Sequence, residues 1–92
     1  MTTDTPAAAT MSAEQQEILH KLAVIIEEIA EVPADQISLD KRFVDDLDID
    51  SLSMIEIAAQ TEATFELDIA IEELAELLSV RDAVDLVLAQ RA

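Results

Sequence analysis

The chain has 92 residues, 51% of them apolar, and 21 acidic against 5 basic side chains give a formal net charge of −16; there is one histidine and neither cysteine nor glycine. That length sets one small domain with a thin hydrophobic core, and the lack of cysteine excludes a disulfide framework or a thiolate metal site. The charge excludes nucleic acid and anionic membrane surfaces as general partners, because phosphate binding needs basic clusters, and points instead to partners with basic patches, drawn in by the long-range field.

Residues 1–11 are small, polar and broken by Pro6, which predicts a flexible N-terminal segment. They carry neither the basic start nor the apolar stretch of a secretory signal. No segment approaches the ~20 apolar residues of a membrane span, so a cytoplasmic monomer is expected. Ser12-Ala13-Glu14-Gln15 fits a capping box and marks a helix start. Ile18, Leu22, Ile25 and Ile29 follow at helical spacing, widened by Leu19, Ala23, Ile26 and Ala30. Glu17 and Lys21 form a favourable i,i+4 pair on the outer side. The helix should stop near Glu31, because Pro33 restricts the residue before it.

Residues 32–50 show no sustained period. Pro33, Asp35, Ser38 and Asp40 are turn formers, while Ile37, Leu39, Phe43 and Leu47 predict a long loop pinned to the core at four points. A loop of this length inside a compact domain is uncommon and often functional. Asp50 can cap a second helix running to about Phe65. At 100° per residue, Met54, Ile57, Ala58, Thr61 and Phe65 share the core side. Ser51, Leu52, Ile55, Glu56, Ala59, Glu62, Ala63 and Glu66 face outward. An outward face mixing apolar residues with spaced glutamates suits docking better than plain solvation.

Leu67 to Ile71 alternates like a strand but has nothing to pair with, so a buried connector is expected. A short helix over Glu72–Leu78 should bury Leu74, Leu77 and Leu78. Ser79-Val80-Arg81-Asp82 resembles another capped start, with Val80, Ala83, Val84, Val87 and Leu88 as the buried stripe and Arg81 placed to pair with Asp85. The predicted fold is all-α: a small four-helix bundle, three main helices and one short one, with a long loop between helices one and two.

The chemistry concentrates at Phe43-Val44-Asp45-Asp46-Leu47-Asp48-Ile49-Asp50-Ser51-Leu52, which sets one serine at a helix mouth behind four carboxylates. A serine nucleophile needs a base, an orienting group and oxyanion donors. His20, the only histidine, falls on the outer side of the first helix, and there is neither a glycine-bearing nucleophile elbow nor a phosphate loop. A hydrolase is therefore disfavoured. Asp46, Asp48 and Asp50 match the first, third and fifth positions of a calcium loop, but Ser51 stands where that loop needs glycine and Ile57 where it needs glutamate. No specific metal site is assigned; weak, nonspecific divalent binding to the crowded carboxylates is expected. Ser51 also fits a tether site, exposed in the first helical turn with free amides and the positive end of the helix dipole behind a phosphodiester. The aspartates oppose that by repulsion, so their role is better read as recognition by a basic partner. Helix chemistry alone leaves open whether Ser51 is a tether or merely follows the capping Asp50.

The run from Phe43 through Asp50-Ser51-Leu52 resembles the acyl carrier protein family over residues 12 to about 90. Phe43-Val44-Asp45-Asp46-Leu47-Asp48-Ile49-Asp50-Ser51-Leu52-Ser53-Met54-Ile55-Glu56-Ile57 looks particularly like actinobacterial carriers of type II fatty acid and meromycolate synthesis. The resemblance implies that Ser51 receives a covalent 4′-phosphopantetheine arm from coenzyme A by a phosphopantetheinyl transferase, which supplies the base and magnesium. The arm's thiol then carries growing fatty acyl chains as thioesters. It implies partner recognition by Asp50, Leu52, Ile55, Glu56, Ala59 and Glu62, and an acyl pocket near Phe43, Ala58, Thr61, Ile69, Leu74 and Leu77. The implied partners are the transferase, malonyl transferase, ketoacyl synthases, reductases and dehydratases, each through a basic patch, with residues 12–92 as the carrier domain and no catalytic residue of the chain's own.

This chain departs from the family at several points. Asp48 stands where much of the family has glycine, though the actinobacterial group resembles this chain at that position, and aspartate tolerates a left-handed backbone. Ser53 replaces a frequent acid, residues 65–70 lack the usual glycine and proline, and leucines at 74, 77 and 78 make the third-helix region more apolar. A discrete polyketide or peptidyl carrier, or a non-carrier acidic adaptor bundle, are the alternatives. Because crowded like charges oppose the compact state and are screened by ions, added salt or magnesium should raise the melting temperature; a flat or falling trend in thermal unfolding would contradict this electrostatic account.

Overall fold

The computed structural model describes residues 12–91. The expected flexible segment over 1–11 lies outside the described residues. Four helices, α1 (Ala13–Ala30), α2 (Ser51–Phe65), α3 (Ile71–Ala75) and α4 (Val80–Arg91), follow in chain order, and the loop 31–50 between α1 and α2 contains a 3-10 turn at Ala34–Gln36. α1 packs on both α2 and α4.

 Among the described residues there is no strand, only an isolated antiparallel bridge between Arg42 and Ser79.

α1 begins as its sequence dictates. Ser12 Oγ accepts from the Gln15 N–H at 3.0 Å, and Gln15 Oε1 accepts from the Ser12 N–H at 2.9 Å. Ile18, Leu22, Ala23, Ile25 and Ile26 are buried, with Leu19, Ile29 and Ala30 half-buried beside them. Lys21 pairs with Glu17 at 3.3 Å, and its ammonium lies 5.8 Å from the Phe65 ring centre, which ties the outer edge of α1 to α2.

Both long helices that precede a loop end in a left-handed glutamate. Glu31 has φ 61° and Glu66 has φ 56°, and each donates its N–H four residues back, to Glu27 and Glu62 respectively. Glycine is the usual residue there, because a β-carbon is disfavoured at positive φ. A carboxylate also meets the negative end of the helix dipole, with no basic residue in either last turn. Glu31→Gly and Glu66→Gly should therefore each stabilise the fold by roughly 0.5–1 kcal/mol, seen as a higher melting temperature; an unchanged or lower one would argue against backbone strain at these caps.

The loop is pinned as expected by Ile37, Phe43 and Leu47, with Leu39 half-buried. Ile49, which sequence reasoning passed over inside the acidic run, is also buried. A tight set of turns carries it inward: Asp46 and Leu47 both donate to the Arg42 carbonyl, Asp48 to Val44, and Ile49 to Phe43 at 2.9 Å. Asp48 takes φ 58°, the left-handed conformation anticipated for it. The loop is then stitched to the start of α4 by Phe43 N–H to Leu78, Val80 N–H to Lys41 and Arg81 N–H to Leu39.

Those stitches correct three expectations. The third helix covers Ile71–Ala75 rather than Glu72–Leu78. The Leu78 carbonyl is engaged by Phe43, and its N–H donates to the Asp82 carboxylate at 3.0 Å, so the chain leaves the helix before it; Leu78 is exposed, and Leu74 and Leu77 are half-buried. Arg81 pairs with Asp40 at 3.4 Å rather than with Asp85, because its backbone bond to Leu39 brings Asp40 alongside. The connector over 67–71 is only partly buried: Leu67 and Ile69 turn inward, whereas Asp68, Ala70 and Ile71 are exposed. The capped start of α4 is as expected, with Ser79 Oγ accepting from the Asp82 N–H and the Asp82 carboxylate accepting from the Ser79 N–H. Val80, Ala83, Val84 and Val87 are buried, and Leu88 is half-buried.

Candidate functional site

Ser51 is the first residue of α2, and its side chain is exposed. The turns over 42–49 deliver the chain to this point, and Asp50 caps the helix in an extended conformation (φ −82°, ψ 171°) with its Oδ1 accepting from the Ser53 N–H at 2.8 Å. The Ser51 and Leu52 amides, first in the helix, have no acceptor within it. The Ser51 hydroxyl thus stands in a field of free donors at the positive end of a helix of 15 residues.

The hydrogen bonds from Ser53, its backbone N–H first and its hydroxyl second, hold the Asp50 carboxyl below the usual carboxylate range. A depressed folded-state pKa stabilises above the unfolded value, and that stabilisation is lost as pH falls through the folded value. The stability advantage of the native chain over Asp50→Ala should accordingly be complete above pH of about 4 and shrink as the pH is taken below it. Parallel thermal unfolding of both proteins reads this; a difference that does not change with pH would mean the cap works without its charge.

The outward side of α2 is formed as expected by Leu52, Ile55, Glu56 and Ala59, all exposed; Leu52 and Ile55 keep 68% and 55% of their surface in solvent, so this is an apolar strip flanked by carboxylates. Glu62 differs. It is half-buried, and its Oε2 accepts from the Ile69 N–H at 2.7 Å. His20 is exposed and lines a shallow groove with Gln16, Leu19, Ala23, Ala34 and Ile37, none of which belongs to the Ser51 motif.

Behind α2 lies a small apolar cavity of about 10 Å³, room for about one water-sized sphere. Phe43, Ala58, Thr61, Ile69 and Leu77, five of the six residues that the family resemblance set near an acyl pocket, line it. Leu74, half-buried on α3, does not. Leu22, Met54, Ile57, Ala83 and Leu86 complete the wall. Sequence periodicity marks several of these as core but carries no signal of which core residues border a gap. The Thr61 hydroxyl, the buried polar group of this wall, donates to the Ile57 carbonyl at 2.7 Å.

A family model described as phosphopantetheine attachment site matches residues 20–87. The meromycolate extension acyl carrier protein of Mycolicibacterium aurum is 53% identical over 74 residues, covering 80% of this chain and 76% of that one. The chain belongs to the acyl carrier proteins. The acyl carrier protein of Thermobifida fusca is 48% identical over 75 residues, covering 82% of this chain and 95% of its own. An acyl carrier protein structure from Enterococcus faecalis superposes with a TM-score of 0.69 at 32% identity, over 82% of this chain and 95% of that chain. The family's cofactor is covalently attached 4′-phosphopantetheine, and the acyl carrier fold met here offers an accessible hydroxyl at a helix mouth that fits such an attachment. No helix among the described residues is long and apolar enough to cross a membrane.

Proposed function

We propose that Ser51 carries the 4′-phosphopantetheine arm, and that this chain presents fatty acyl groups to the enzymes of their synthesis without catalysing a step itself. The observation that carries the assignment is the state of the serines. Ser12 and Ser79 each use the hydroxyl to cap a helix, and Ser53 is half-buried against Asp50, whereas Ser51 is exposed with no hydrogen-bond partner for its hydroxyl among the described residues. Ser38 is also exposed, but it sits in the loop, away from any helix mouth.

When attached, the arm supplies a thiol that holds acyl groups as thioesters. The chain's own residues bind and position. Ser51 Oγ replaces the nucleotide on the pantetheine phosphate of coenzyme A, and its proton passes to a base of the phosphopantetheinyl transferase, because no base among the described residues is bonded to it. Asp50, Glu56 and Glu62 offer charge to basic patches, and Leu52, Ile55 and Ala59 offer the apolar contacts between them. Malonyl transferase, ketoacyl synthases, reductases and dehydratases would read the same face. Phe43, Ala58, Thr61, Ile69 and Leu77 shelter the cargo chain. The names of the relatives, acyl carrier and meromycolate extension, favour fatty acyl cargo over a polyketide or peptidyl role. A cytoplasmic monomer goes with this reading.

Incubation with coenzyme A, magnesium and a phosphopantetheinyl transferase should add the mass of one phosphopantetheine unit, mapping by peptide fragmentation to Ser51. An unchanged mass under several transferases, or a label elsewhere, would count against the proposal.

A further inference from the structure

Between α2 and α3, three consecutive amides have no backbone acceptor among the described residues, and each is held by a side-chain oxygen from a different helix. The Asp68 N–H donates to Gln90 Oε1 of α4 at 3.4 Å, the Ile69 N–H to Glu62 Oε2 of α2 at 2.7 Å, and the Ala70 N–H to Glu73 Oε1 of α3 at 2.9 Å. Gln90 also donates its Nε2 to the Asp68 carbonyl. The connector therefore hangs on side chains rather than on a backbone ladder, and such segments open locally at low cost.

The middle bond joins two sites. Glu62 lies on α2 one turn beyond Ala59, at the end of the outward strip, while Ile69 is a wall of the apolar cavity. That cavity, at about 10 Å³, is too small for an acyl chain, so a wall must move before cargo enters or leaves. Most of its other walls stand in α1, α2 and α4, whose backbones are held by helical bonds. Ile69 is instead held through the Glu62 carboxylate.

We propose that Glu62 is a positioning residue that couples the outward face of α2 to the cavity: its carboxylate holds the Ile69 wall closed, and a cationic side chain of a docked partner enzyme draws the carboxylate away and frees that wall. Exchange of one charge-assisted bond for another makes the switch nearly balanced in energy, so docking tips it. This rests on the reading that partners dock on α2.

The test is amide hydrogen exchange on the unloaded full chain, with octa-arginine as the cationic probe. Glu62→Ala should speed exchange at Ile69 by about tenfold or more, with Asp68 and Ala70 changing far less. Glu62→Gln, which keeps an acceptor oxygen, should preserve the protection. Octa-arginine should speed Ile69 exchange in the native chain but not in Glu62→Gln. Because no arm is needed, a Ser51 that accepts no phosphopantetheine would overturn the loading assignment and leave these results standing. Should the alanine variant fail to fold, the glutamine variant decides alone. Exchange at Ile69 within about twofold of native in Glu62→Ala, or equal acceleration by octa-arginine in the native chain and in Glu62→Gln, would overturn the coupling.

Discussion

With alanine in place of Ser51, the chain should fold as before and gain no mass when offered coenzyme A and a phosphopantetheinyl transferase. The effect on loading is complete, because the substitution removes the oxygen to which the arm would be joined. The effect on folding is small, within about 0.5 kcal/mol, since an exposed first-turn serine makes no contact that alanine loses. Ser53→Ala is the matched control: two residues along the same helix, it should still load. Intact mass and thermal unfolding on the three proteins separate the cases. If Ser51→Ala still gains the arm, the attachment point is elsewhere; if it unfolds, position 51 matters to the fold in a way its exposure does not explain.

Phe43→Ala should cost about 3–5 kcal/mol, the usual loss for a buried aromatic truncated to alanine. Phe43 is 1% exposed and packs in the main core while bordering the cavity. Its backbone also links the loop to Leu78 and Ile49. Alanine keeps those backbone bonds but leaves a void where three parts of the chain meet. A domain of this size has only about 5–15 kcal/mol in all, so the variant should be partly unfolded at modest urea concentrations. Denaturant unfolding reads the loss directly. A change of less than about 1 kcal/mol would mean that neighbouring side chains collapse into the gap and that the ring is not a keystone of the loop.

What could be read without the fold was local. The Ser12–Gln15 box, the Asp50 cap over Ser53 and the Ser79–Asp82 start each join residues three apart, so the pattern of types is nearly the interaction itself. The same holds for the buried stripes of α1 and α4, which follow from the helical repeat alone. Where sequence reasoning erred, the partner was distant. Arg81 turned to Asp40 and Leu78 was drawn to Phe43, while the bond from Ile69 to Glu62, a residue expected on the outward recognition face, was not foreseen. Ile49 was missed because its neighbours on both sides are aspartates, and only the turns that follow Phe43 bury it.

The linear order of residues therefore determined by itself where α1, α2 and α4 start and that Ser51 sits at the mouth of one of them, since these depend on contacts within a turn or two. Only the tertiary structure decided where α3 stops, which core residues border the cavity and what the Glu62 carboxylate holds. Those depend on loop residues meeting helices far along the chain, and no periodicity encodes that meeting.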